Sequence, residues 1–359
     1  MHFKKTYRLG REESLILNSM LTNQVLTIIY KHFLKARNIG LSLLLLPAII
    51  TGCSSSGFPD DSPSHEFSSH TILKCNAPLG VENGSTLDIL VFNDDRLQRL
   101  DSYQRVEDFD GQFSYPASTE GEKIFFLCCN PQTDRYGWAG INSYSGLERT
   151  ICDLEKEQRE NLVMTGEFRG EAGGTSGSAY LTPLVSEIFI ESLKCDFSGT
   201  TYPGRKMTEV KAYLTYVNAA CGLLESSGTK HTRIINSGMF NEYEAGIFGD
   251  ISMITQDLAE ELGASPVNSP ASMFCYPHHD KSGRNTRLVI EGDIDGETYY
   301  WPIEIGDGEG IERNCRYAFR IFIKRKGTSD PDILIEPTDI ELEIKVKSWL
   351  EKRDWQISF

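Results

Sequence analysis

The chain has 359 residues, of which 36 are Lys or Arg and 51 are Asp or Glu, so its formal net charge at pH 7 is −15. This length is sufficient for two domains of ordinary size. An acidic surface repels the phosphates of nucleic acids and of anionic lipids, so nucleic acid is not expected as a partner.

The first predicted element is an export signal near the start of the chain. Residues 41–50 form a mostly apolar run, which is too short for a membrane-spanning helix of ~20 apolar residues. Lys31, Lys35 and Arg37 precede the run and small residues follow it, which is the order found in a secretory signal peptide. Translation from Met20 would give the charged segment before the run a more usual length.

Residues 50–53, Ile-Thr-Gly-Cys, resemble a bacterial lipobox. In a lipobox, signal peptidase cuts before the cysteine, here between Gly52 and Cys53, and the cysteine sulfur is acylated. The alternative is an ordinary signal sequence in which this cysteine occurs by chance. The lipobox predicts that residues 1–52 are removed and that a lipid on Cys53 holds the protein at the cell outer membrane, exposed at the surface.

A polar tether and a series of short strands are expected to follow. Residues 53–69 are rich in Ser, Pro and Asp and cannot bury a core, which indicates a flexible tether. Beyond them, apolar and polar residues mostly alternate between turn signals, which is typical of short strands. The predicted strands are residues 70–75, 86–92, 111–116, 123–129, 181–193, 208–217, 273–276, 286–294, 298–305, 315–324, 340–349 and 355–359.

Helical spacing of apolar residues predicts two helices, at 146–158 and 251–262. Many short strands with few helices favour β-sandwiches over a parallel sheet. Residues 166–180 are rich in glycine and poor in apolar residues, which is typical of a linker. We therefore predict an N-terminal domain at residues 70–178 and a C-terminal domain at 179–359.

The cysteines and histidines do not predict a catalytic, metal or cofactor site. Eight cysteines remain when Cys53 carries lipid; disulfides are permitted in an exported chain, but buried thiols are equally natural, so no pairing is assigned. The segment His278-His279-Asp280 is interpreted as a solvated turn. Asp295-Gly296 predicts a hairpin turn between two strands.

Several segments, taken in order, resemble the fimbrillins of Bacteroidales, the subunits of lipoprotein-derived (type V) fimbriae. The most specific is 311–331, which contains Arg313-Asn314, then Tyr317, an alternating strand, Gly327 and an Asp-Pro turn. It continues to a tryptophan at position 349. The other similar segments are 86–95 with 121–131, 160–167 and 297–305.

The resemblance implies a mainly β protein with two transthyretin-like β-sandwich domains, short helices in the connections and no enzymatic activity. In the family, a protease cuts after an Arg to remove the first strand, and the C-terminal strand of a neighbouring subunit fills the groove. The donor segment here would be Asp354–Phe359, with Trp355, Ile357 and Phe359. The implied partners are other fimbrial subunits, in a homo- or hetero-polymer, and ligands on host or bacterial surfaces.

One departure from the family concerns this cleavage. Residues 78–85, between the first two predicted strands, contain neither Arg nor Lys. Either another protease acts and the subunit polymerises, or the subunit keeps its first strand and its lipid as an anchor or a length regulator. The alternative from another class is a surface glycan-binding lipoprotein, which predicts exposed aromatic side chains on one face.

Overall fold

Strands account for most of the secondary structure in the computed structural model. The structure describes residues 71–76, 85–109, 112–115, 119–172, 176–224, 232–238, 251–267, 270–306, 310–335 and 340–348. The first nine strands, which we call the N-terminal half, are β1 (Thr71–Asn76), β2 (Leu87–Asn93), β3 (Leu100–Val106), β4 (Gln112–Tyr115), β5 (Glu122–Cys129), β6 (Ile151–Asp153), β7 (Met164–Glu171), β8 (Ser176–Tyr180) and β9 (Thr182–Pro183).

The next eleven strands form the C-terminal half. They are β10 (Ser186–Cys195), β11 (Met207–Thr215), β12 (Val217–Asn218), β13 (Ala220–Gly222), β14 (Ile234–Ile235), β15 (Thr255–Leu262), β16 (Ala271–Cys275), β17 (Arg287–Ile294), β18 (Glu297–Glu304), β19 (Cys315–Ile323) and β20 (Ile340–Ser348). All the longer strands predicted from alternation are present, except the one at 355–359, which lies outside the described residues.

The two halves repeat one strand order. In the N-terminal half, β1 lies between antiparallel β4 and parallel β8; in the C-terminal half, β10 lies between antiparallel β16 and parallel β19. The second sheets also correspond, since the order β3-β2-β5-β7 matches β15-β11-β17-β18 and all these pairs are antiparallel. Strand β20 is added beyond β19. The division into two domains near residue 178 stays a prediction.

Strand β2 shows how the five-stranded sheet β3-β2-β5-β7-β9 packs on both faces. Leu90 and Phe92 belong to the larger apolar cluster, which also contains residues of the C-terminal half. The alternating residues Leu87, Ile89 and Val91 belong to a second cluster on the opposite face. A strand buried on both faces is expected to be apolar throughout, as this one is except at Asp88 and at its last residue, Asn93.

Both predicted helices are wrong. Residues 146–158 form the single turn α1 (Tyr144–Leu147), then β6 and a 3-10 turn (Leu154–Lys156). Residues 251–262 form a 3-10 turn (Ile251–Met253) followed by β15. Long-range pairing with β13 and β11 overrides the local pattern. Strand β15 has a bulge at Leu258, where two of its residues lie opposite one residue of β11. The bulge interrupts the alternation of apolar and polar residues by which a strand is recognised in a sequence.

Two loop predictions are also corrected, and one is confirmed. The predicted linker, 166–180, contains most of β7 and all of β8. His278 is buried, and only the residues after it form the turn; its Nδ1 lies 3.2 Å from the Thr286 hydroxyl, and burial lowers its pKa. The hairpin turn at Asp295-Gly296 joins β17 to β18, with both residues at positive φ as a type I′ turn requires.

Candidate assembly site

The residues predicted for lipidation and strand donation flank the described part of the chain. Gly52 and Cys53, and the donor candidates Trp355, Ile357 and Phe359, lie outside the described residues. The structure does describe β1 and β20, the strands nearest to these two segments in the chain. These two strands and the junction between the halves therefore define the candidate site.

Strand β1 is the central strand of the three-stranded sheet β4-β1-β8. Four residues of β1 pair with β4, from Thr71 opposite Tyr115 to Lys74 opposite Gln112. Five residues pair in parallel with β8, ending at Asn76 opposite Tyr180. Because both edges of β1 are paired, its removal would leave unpaired backbone groups on β4 and on β8 at the same time.

The apolar cluster on one face of the five-stranded sheet is almost completely buried. Its members are Leu87, Ile89, Val91, Phe109, Phe125, Leu127, Cys129, Met164 and Leu181. The sheet that contains β1 is the other large sheet described in this half, and its strand β8 contacts β7. At Gly166 of β7, an added Cβ would lie 2.5 Å from the Tyr180 carbonyl oxygen, so only glycine permits this approach.

Strand β20 is the edge strand of its sheet within the described residues. It pairs with β19 along its whole length, from Ile340 opposite Ile323 to Ser348 opposite Cys315. The side chains on its core-facing side become more exposed along the strand, from 8% at Ile340 to 54% at Val346. The C-terminal end of β20 is therefore held mainly by its backbone hydrogen bonds to a single neighbour.

The outer face of β20 carries ion pairs with the neighbouring strand. Glu341 accepts from Lys324 at 2.6 Å, and Glu343 contacts Arg320 at 3.4 Å. All four side chains are largely exposed, and exposed ion pairs contribute only ~0–1 kcal/mol each. These pairs are therefore expected to add little to the stability of β20.

Arg313 joins the two halves. Its guanidinium donates to the Pro183 carbonyl oxygen at 3.0 Å, to the Thr182 carbonyl oxygen at 2.8 Å and to the Thr165 hydroxyl at 2.9 Å. The next residue, Asn314, has a φ of 58° and its N–H donates to the Val185 carbonyl. The Arg-Asn pair taken from the fimbrillin resemblance is thus a structural link in this chain.

Glu157 is a buried carboxylate at the same junction. One oxygen accepts from the Tyr276 hydroxyl of the C-terminal half at 2.8 Å, and the other accepts from the Val163 N–H at 2.9 Å. Burial raises the pKa of Glu157 to about 7, and the two hydrogen bonds only partly oppose this effect. Nearby, Arg159 donates to the carbonyl oxygens of Ser252 and Ser272.

A second buried carboxylate, Asp88, links β2 to β3 and to the segment around Trp138 in the N-terminal half. This site was not predicted from the sequence. Asp88 accepts from Arg105 at 2.7 and 2.8 Å, from the Tyr103 hydroxyl at 3.0 Å and from the Trp138 indole N–H at 2.5 Å. Both of its oxygens are therefore satisfied. The signal in the sequence was its position, since Asp88 is the only charged residue of the apolar strand β2.

The described residues offer little support for a glycan platform or a metal site. The large exposed aromatic side chains among them are Tyr103 and Tyr180, which lie on different sheets, and Trp301 is fully buried. Within these residues, no group of three or more potential metal-binding side chains is found. No helix in the described part of the chain is long and apolar enough to cross a membrane.

The fold, mainly β with two similarly ordered sets of strands, is shared with solved structures of other bacterial proteins. The chain is similar to a fimbrilin from Porphyromonas gingivalis W83, with a TM-score of 0.58 and 15% identity over 78% of this chain and 96% of the fimbrilin. A candidate cell adhesion protein from Parabacteroides distasonis ATCC 8503 gives a TM-score of 0.57 with the same identity and coverage.

A candidate cell adhesion protein from Bacteroides eggerthii DSM 20697 is also similar, with a TM-score of 0.54 and 15% identity over 78% of this chain and 96% of that one. No protein-family model and no curated protein matches the sequence. At this level of identity the similarity shows a shared fold, and the fold-level resemblance to fimbrillins is confirmed.

Proposed function

We propose that the protein is a structural subunit of fimbriae attached to the outer membrane, acylated on Cys53 and joined to neighbouring subunits by strand exchange. The tail of one subunit, with Trp355, Ile357 and Phe359, would enter the place of β1 in the next. The observation that carries this proposal is the position of β1, which is paired on both edges between β4 and β8. An incoming strand could satisfy the same backbone groups.

The half-exposed end of β20 supports the donor role of the segment that follows it. A segment that leads away from a weakly packed edge strand can extend to another molecule at little cost in buried area. The role within the fibre depends on the fate of β1, because residues 77–86 offer no Arg or Lys for cleavage. A subunit that keeps β1 would be an anchor or length regulator, and one that loses it would be part of the shaft.

Intact mass and N-terminal sequencing of the protein from its native outer membrane measure the fate of β1. An acylated, blocked Cys53 identifies an anchor, whereas a free N-terminus between Ala77 and Thr86 identifies a polymerising subunit. A mature protein without lipid that starts elsewhere before β1 would refute the anchoring mechanism. Immunogold labelling should place the protein on sheared fimbriae or at their base; its absence from both would refute the fimbrial role.

Disulfide trapping tests the strand exchange itself. Ser114 of β4 is the register partner of Ile72, so a strand that replaces β1 must pass beside it. We expect Ser114→Cys combined with Ile357→Cys to give reducible intersubunit cross-links in fimbriae. In the control, Leu97→Cys, at an exposed position outside this sheet, replaces Ser114→Cys and should give none. Equal cross-linking of both pairs would contradict specific exchange at β1.

A further inference from the structure

Three cysteine side chains meet at the junction between the two halves. Cys152 of β6 is directly opposite Cys221 of β13 in the antiparallel pair that joins the halves. Cys128 of β5 lies close by, since its sulfur and that of Cys152 are each 3.8 Å from the Tyr136 hydroxyl oxygen. All three cysteines are 0% exposed.

The hydrogen bonds on either side of this pair indicate its backbone spacing. The Leu154 N–H donates to the Ala219 carbonyl oxygen at 3.0 Å, and the Leu223 N–H donates to the Thr150 carbonyl oxygen at 3.2 Å. These two hydrogen-bonded pairs each lie two residues along the strands from the cysteine pair, one in each direction. The Cys152–Cys221 pair is therefore at a hydrogen-bonded position, where the Cα atoms are ~5.5 Å apart. Disulfides span Cα separations of ~4.4–6.8 Å, so the backbone spacing at this position suits a disulfide.

We propose that Cys152 and Cys221 form a disulfide that ties the two halves together, while Cys128 remains a thiol. The two thiols lose their protons, and their electrons reduce the disulfide of a thiol–disulfide oxidoreductase or of oxidised glutathione to two thiols. The reaction passes through a mixed disulfide on one of the two cysteines. Its occurrence in the cell rests on the proposed export to an oxidising compartment.

Register distinguishes this pair from the other combinations. Cys128 pairs across its own sheet with Asp88 and Thr165, so it is directly opposite neither of the other two cysteines. A bond between Cys128 and Cys152 would also remain within the N-terminal half. Only a bond to Cys221 would close the chain across the junction, and it would enclose a loop of about 70 residues.

The burial of these cysteines indicates when the bond forms. Burial raises the pKa of the Cys221 thiol to about 12 and that of Cys152 well above its usual value. The thiolate is the species that attacks a disulfide, so exchange in the closed junction is slow. The bond must form as the chain folds, before the junction closes, and the folded protein then shields it from reductants.

Refolding from the reduced, denatured state tests the pairing independently of export. The mature chain is refolded in excess oxidised glutathione, alkylated, digested without reduction and mapped by mass spectrometry. We expect the Cys152–Cys221 linked peptide to predominate, and the thermal midpoint to be at least ~5 °C higher than in the reduced protein. Alkylation of both cysteines, or a predominant bond to Cys128, would overturn the proposal.

Variants and native material complete the test. The double variant Cys152→Ala with Cys221→Ala should show no increase of the thermal midpoint on oxidation. Cys275→Ala, which removes a buried thiol on another strand, should show the same increase as the native chain. Protein trapped with N-ethylmaleimide in the cell envelope should carry the bond. If the envelope protein is reduced, the proposal that the disulfide forms in the cell is overturned. If the protein is confined to the cytoplasm, the proposed export is refuted, and the refolding experiment alone decides whether the two cysteines pair.

Discussion

Replacing Glu157 with Gln should lower the free energy of unfolding at acid pH and raise it at alkaline pH. The pKa of this carboxyl is raised from 4.5 to about 7 by folding, so the folded state favours the protonated form. Its contribution to stability is fully present below pH 4.5 and is lost as the pH rises through about 7. A shift of this size corresponds to about 3 kcal/mol of unfolding free energy.

The amide of Glu157→Gln has nearly the same shape but cannot ionise. It can accept from Tyr276 or from Val163 but not from both, which costs about 1 kcal/mol at every pH. The variant should therefore be less stable than the native chain by about 1 kcal/mol at pH 4.5 and more stable by about 2 kcal/mol at pH 8.

Urea unfolding of the mature chain, followed by tryptophan fluorescence at a series of pH values, measures this difference directly. Glu160→Gln, an exposed site three residues away, is the matched control and should follow the native chain throughout. A difference between Glu157→Gln and the native chain that is equal at pH 4.5 and pH 8 would refute a buried carboxyl with a raised pKa.

Three further substitutions address the other contacts, each measured by urea unfolding. Arg313→Ala removes the donor to three residues of the N-terminal half and should lower the unfolding free energy by about 2–3 kcal/mol. Asp88→Asn leaves the Arg105 guanidinium without its buried partner and should cost about 2–4 kcal/mol. Gly327→Ala should cost about 1–3 kcal/mol, because the new Cβ would lie 2.8 Å from the Tyr300 carbonyl carbon.

Each of these substitutions has a matched control at an exposed or open position. Arg96→Ala and Asp257→Asn alter exposed side chains, and Gly137→Ala adds a Cβ that meets nothing within 4 Å. All three controls should change stability by less than about 0.5 kcal/mol. A control that costs as much as its test substitution would show that the contact described at that site is not the cause.

Elements with a strong local signal were predicted correctly from the sequence. The β17–β18 hairpin is an example, because Asp295 and Gly296 suit the positive φ that its turn requires and the flanking residues alternate. Strand β20 was likewise found, with its end near the predicted residue. In such elements, neighbouring residues in the chain determine the conformation without help from distant ones.

The junction was not predictable in the same way, because its elements are short and depend on distant partners. Strands β6 and β13 have three residues each and exist only as a pair about 70 positions apart. The apolar spacing around β6 fits a helix equally well, and pairing decides between them. The burial of Glu157 also has no local signal, since an isolated glutamate is expected to be exposed.

The repeated strand order has a consequence for the direction in which a fibre could grow. Strands β1 and β10 hold equivalent central places, yet they differ in how the chain continues from them. One cut after β1 separates it from β2, whereas freeing β10 would require cuts on both sides, before β11 and after β9. Under strand exchange, each subunit would thus accept one neighbour and donate to one other, which produces a polar, unbranched filament.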